Sequence, residues 1–60
     1  MSIWILVIIM SSSIGGKTSV GVEVLAFEKE VECTSLIKVT KEHFAEDFDK
    51  VEVSCIEREL

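Results

Sequence analysis

The chain has 60 residues, a formal charge of −5 and 48% apolar residues, the composition of one small globular domain and not of a disordered chain. So short a chain buries only about 60% of its unfolded surface, so a disulfide, a metal or a partner is expected to supplement its core. The acidic balance, with a pI near 4.6, argues against direct nucleic-acid binding, which needs a basic face. It leaves two readings of the charge, a basic patch on another protein as its counterpart and simple solubility.

The first element is the unbroken apolar run Ile3-Trp4-Ile5-Leu6-Val7-Ile8-Ile9-Met10, which leads into Ser11-Ser12-Ser13. A spanning helix needs about 20 apolar residues, so no membrane span is expected. A buried strand, an interfacial anchor and a cleaved secretory signal then compete for the run. The apolar length suits a signal, and Ser13-Ile14-Gly15 has the small-x-small look of a cleavage site, but no Lys or Arg precedes the run. The dominance of Ile, Val and Trp favours a buried strand. Ser11 to Lys17 then reads as a loose hairpin connection in which Gly15-Gly16 supplies positive φ.

Thr18 to Phe27 alternates as a second strand, with Val20, Val22, Val24 and Ala26 on one face and Gly21, Glu23, Leu25 and Phe27 on the other. Gly21 inside it suggests a bulge or the close approach of another backbone. A helix is expected from about Glu28 to Phe44, with Glu28, Glu30 and Glu32 at its start and Lys38, Lys41 and His43 near its end, as the macrodipole favours. Cys33, Leu36, Ile37, Thr40 and Phe44 form its inward stripe. After the acidic turn Glu46-Asp47-Phe48-Asp49, residues Lys50 to Glu57 alternate as a third strand. Val51, Val53 and Cys55 take one face, Glu52, Ser54 and Ile56 the other.

The expected fold is α+β: a single domain over residues 1–60, ordered ββαβ, with a three-stranded sheet and one helix packed on one face. The most apolar strand belongs in the centre, which gives the order 2-1-3 with strand one antiparallel to both neighbours. Both faces of strand one are apolar, and one helix covers only one of them. The other would be a patch of several hundred Å², which soluble monomers seldom expose. A second copy is the commonest cover, so a homodimer is expected. Its candidate interface residues are Ile3, Trp4, Ile5, Leu6, Val7 and Ile8, with the choice between the two alternating sets open.

The chemistry-bearing residues are few. Ile14-Gly15-Gly16-Lys17-Thr18 resembles the tail of a phosphate loop, but Ser11 stands where the first glycine belongs, and a strand follows where the motif needs a helix. Cys33, Cys55 and His43 are the only soft metal ligands, and they lack the paired spacing of a zinc site. Cys33 and His43 would lie about 15 Å apart along the helix, too far for a nucleophile and its base. No enzyme activity, cofactor or metal is expected. The two cysteines both face inward and are expected within bridging distance. They form either a disulfide closing a loop of about 20 residues, worth roughly 3 kcal/mol, or a pair of reduced thiols that pack as small hydrophobes.

The carboxylates Glu42, Glu46, Asp47 and Asp49 are the candidates for contact with a basic partner, with Phe48 as an aromatic anchor. The competing view of this segment is a solvated turn after a helix.

Trp4 in the apolar run, Phe27 closing the second strand, Cys33 six residues later and Cys55 in the last strand together resemble the layout of short, mostly uncharacterised proteins encoded by bacteriophages and prophages. The resemblance covers nearly the whole chain. Members often carry Ser or Asp directly after the Phe as a helix cap, where this chain has Glu28. It implies a phage accessory protein, a class that often inhibits host enzymes or defence systems. The expected function is therefore that of a small acidic, non-catalytic interaction module, a candidate inhibitor of a host defence or nucleic-acid enzyme, working in the host cytoplasm. The alternative is a secreted or periplasmic disulfide-stabilised mini-domain with residues 1–15 as a cleaved signal.

Overall fold

Two glycines turn the chain back on itself. In the computed structural model, which describes residues 1–60, Gly15 and Gly16 have φ of 60° and 82°, the paired left-handed conformation of a two-residue type I′ hairpin turn. The turn joins strand β1 (Ser2–Ile14) to strand β2 (Lys17–Phe27). The serines are therefore not part of a loose loop. Ser11, Ser12 and Ser13 continue β1 opposite Val20, Ser19 and Thr18, because pairing with a β-branched and hydroxylated partner strand outweighs their weak strand propensity. The register runs unbroken from Trp4 opposite Phe27 to Ile14 opposite Lys17, so Gly21 makes no bulge. The methyl of Met10 lies over it instead, 3.5 Å from where a Cβ would stand.

After β2 the chain bends at Glu28 and Lys29 and enters helix α1 (Glu30–Ala45). The helix begins two residues later than its acidic start suggests: Lys29 is extended and stands at the N-cap without a side-chain cap bond. It ends where the amides of Asp47 and Phe48 both donate to the Phe44 carbonyl, at 3.1 and 3.0 Å. Strand β3 (Lys50–Glu59) then pairs antiparallel with β1, from Ser11 opposite Lys50 to Ser2 opposite Glu59. The sheet order is β2-β1-β3, as the apolarity of β1 requires.

The core is thin. Leu6, Ile8, Met10 and Cys33 are its only buried residues, surrounded by half-covered Trp4, Phe27, Leu36, Ile37, Phe44, Phe48, Val51, Val53 and Cys55. The even-numbered residues of β1 thus face the helix, together with Val51, Val53 and Cys55 of β3. A sixteen-residue helix is about 24 Å long, whereas the thirteen residues of β1 extend about 44 Å. The molecule is accordingly a slab with Cα extents of 46 × 20 × 10 Å. Beyond Ser11 the sheet has only two strands, and this is where the sequence turns from Ile, Val and Met to Ser. The tip is bare, with Ile14 exposed.

Candidate interaction surfaces

The two cysteines meet. Cys33 sits in the first turns of α1 with its side chain fully buried, and Cys55 lies opposite Leu6 in β3. A disulfide joins them with their Cα atoms 6.2 Å apart. Of the two expectations, disulfide or free thiols, the structure holds the first. It fastens the helix to an edge strand, across the centre of a core too small to hold the helix by area alone. His43 is exposed and lies edge-on to Phe44, with ring centroids 5.2 Å apart. Gly15, Gly16 and Lys17 form the hairpin tip and are followed by strand, not by a helix N-terminus. The surface carries no pocket, and no group of three or more His, Cys, Asp or Glu side chains converges on a metal-sized site. No helix is long and apolar enough to cross a membrane.

The face of the sheet away from the helix is the most distinctive surface. Its centre is Ile3, Ile5, Val7 and Ile9 of β1. Ile5 lies between Ala26 and Ile56, Val7 between Val24 and Ser54, and Ile9 between Val22 and Glu52. Val20, Val22 and Val24 are 66%, 59% and 58% exposed, and Ile56 is 51% exposed, so no other element packs over this face, although Ile3, Ile5 and Val7 at its centre are half-buried between the flanking strands. Along β3 it is bordered by Lys50, Glu52 and Arg58. Along β2 it has no charged border at all and stays aliphatic to the edge of the sheet.

This geometry divides the six interface candidates. Trp4, Leu6 and Ile8 pack under the helix and are not available as an interface, because β1 pairs with β3 in the register that sets Leu6 opposite Cys55. Ile3, Ile5 and Val7 stand on the open face. Six further residues, Ile9, Val20, Val22, Val24, Ala26 and Ile56, share that face and are not among the candidates. For the β2 members the sequence does hold a signal: its alternation places four aliphatic residues on one side.

The acidic end of the molecule is also more structured than a solvated turn. Glu42, Glu46 and Asp47 are exposed. Phe48 is half-buried against the core and lies 6.4 Å from the Phe44 ring, centroid to centroid, so it props the end of the helix and does not project as an anchor. Asp49 accepts a hydrogen bond from the Ser13 amide through Oδ2 at 2.9 Å, which ties the start of β3 to the two-stranded part of the hairpin. Of the five residues expected to meet a basic partner, Phe48 and Asp49 are occupied within the fold. Compared with known proteins, the chain matches no family model, no curated protein and no solved structure.

Proposed function

We propose that this protein is a non-catalytic interaction module whose working surface is the open face of its sheet, and that a second copy covers this face. The observation that carries the proposal is an aliphatic face, with Val20, Val22, Val24 and Ile56 each at least half exposed, beside a core of four buried residues. Such an exposed patch, on the order of 500 Å² here, lies at the upper end of what a soluble monomer tolerates. Burying it on both copies at roughly 25 cal/mol/Å² contributes on the order of 25 kcal/mol before association costs that offset much of it. Mixed charges along β3 supply the polar border that interfaces usually have.

The dimer would leave Glu42, Glu46 and Asp47 free on the far side, beyond the helix, as a negative surface for a basic partner. The resemblance to phage-encoded proteins makes a host protein the expected partner class, with inhibition by occupancy of its surface as the mode of action.

Sedimentation equilibrium tests the self-association. The wild-type chain is expected to associate at micromolar concentration, and Ile5→Asp, in the middle of the face, to reduce its mass. Ile56→Lys repeats the test at a half-exposed position where the fold tolerates a charge. A folded wild-type monomer, or variants that associate like the wild type, would overturn the proposal.

A further inference from the structure

The two edges of the sheet are protected unequally. Edge strands offer unpaired amides and carbonyls to other chains, and soluble proteins usually blunt them with charge, proline or short length. Strand β3 is blunted: Lys50, Glu52, Glu57, Arg58 and Glu59 are half of its ten residues. Strand β2 is eleven residues long, has no proline, and carries charge only at Lys17 and Glu23.

The direction of its free backbone groups can be worked out. In a two-residue hairpin the residues flanking the turn, Ile14 and Lys17, exchange hydrogen bonds, and the pattern then alternates along the strands. Even-numbered residues of β1 therefore bond to odd-numbered residues of β2. Two bonds agree with this phase: Ser13 donates its amide toward Asp49 and Met1 accepts from the Leu60 amide at 2.8 Å, so odd residues of β1 turn their backbone toward β3. The amides and carbonyls of Thr18, Val20, Val22, Val24 and Ala26 consequently point out from the β2 edge. These are the same residues whose side chains lie on the open face.

We infer that β2 is a self-pairing edge, on which a second copy adds its own β2 antiparallel about a two-fold axis at Val22. Val22 is the midpoint of the strand, so this register pairs the full length: Val22 with its counterpart, Val20 with the second copy's Val24, Thr18 with its Ala26. Outward backbone groups meet outward backbone groups, as an antiparallel ladder requires. Glu23 falls opposite the second copy's Gly21. Moving the axis one residue along would set Glu23 against its own copy, a like-charge pair that destabilises a ladder. The product is a continuous six-stranded sheet whose aliphatic face crosses the junction without interruption and is bordered by charge only at its two outer β3 strands. This accounts for the missing charged border along β2. The contact does not depend on the stacking of open faces and is compatible with it; with both, the assembly has four chains.

Val22→Pro tests it, because a proline whose missing amide would have faced outward is tolerated in an edge strand but cannot join a new ladder. By sedimentation equilibrium the variant is expected to show half the assembled mass of the wild type, with the Cys33–Cys55 disulfide and the far-ultraviolet circular dichroism retained. In parallel, the Val20, Val22 and Val24 amides of the wild type should be slow to exchange with deuterium, and their protection should be lost on dilution. Wild-type mass for Val22→Pro, or free exchange of these three amides in concentrated protein, would overturn the inference. Should Val22→Pro not fold, the amide exchange decides alone. Ile5→Asp separates the two contacts: a remaining dimer with protected β2 amides keeps the edge pairing and locates the other contact on the open face. Full wild-type mass for Ile5→Asp rejects the stacked face while leaving the edge pairing standing.

Discussion

Leu6 and Val7 are neighbours in one strand, similar in chemistry, and they live in different environments. Leu6 is fully buried beneath α1, beside the disulfide; Val7 lies on the open face between Val24 and Ser54. The sheet thus has two aliphatic faces of which only one has become a core. Hydrophobicity did not make the difference, since both faces have it. What differs is the cover: one helix, fastened by Cys33 and Cys55 to the side of the sheet that carries Trp4, Leu6, Ile8 and Met10.

The sharpest way to break this comparison is to shorten the two neighbours in turn. Leu6→Ala is expected to destabilise the fold by about 3 to 5 kcal/mol, through lost transfer energy and the cavity left behind. Val7→Ala should cost the folded chain less, about 1 kcal/mol, because Val7 is only half-buried between its strand neighbours and has no helix above it. Urea denaturation at a protein concentration low enough to leave the chain monomeric measures both, and equal losses would erase the distinction between the faces. Next in size is the fastening itself. Replacing Cys33 and Cys55 together with Ala should cost about 3 kcal/mol for a loop of this length, read as a lower thermal midpoint. Only the helix-covered face needs the bond, so amide exchange should accelerate in α1 before it does in the β1–β2 hairpin. The smallest effect concerns the place where cover runs out. Asp49→Ala removes the acceptor of the Ser13 amide and should cost about 1 kcal/mol, with faster exchange at Ser13 as the local sign. An unchanged Ser13 amide would show that the two-stranded extension holds without Asp49.

Much of this architecture is legible in the sequence. Apolar runs and alternation identify all three strands, the stripe Cys33-Leu36-Ile37-Phe44 orients the helix, and the composition of residues 3–10 puts β1 in the centre. That the two cysteines are neighbours follows from two inward phases that agree; that they are bonded does not. The side of β1 taken by the helix is not legible, because alternation carries no information when both faces are apolar; only the register, with Leu6 opposite Cys55, settles it. The serine stretch resembles loop because its strand character comes from Thr18, Ser19 and Val20 across the hairpin and not from the serines themselves. Phe48 and Asp49 resemble surface for a related reason. Their partners, Phe44 and Ser13, are brought to them by the turn after α1 and by the overhang of β1, neither of which a local pattern encodes.

The cross-link also divides the chain by how it can assemble. The covalent ring closed by Cys33 and Cys55 contains most of α1 and the first half of β3, while the whole β1–β2 hairpin lies outside it. Pairing within the hairpin is local and belongs to the microsecond range. Pairing of β1 with β3 must close a span reaching from Ser2 to Glu59 and bears the larger entropy cost. In the oxidised chain the hairpin and the ring are thus covalently separate parts, and docking one on the other brings Leu6 onto Cys33. In any state in which the two are not docked, the hairpin has both of its aliphatic faces and both of its edges uncovered, the condition in which strands invite pairing with other chains.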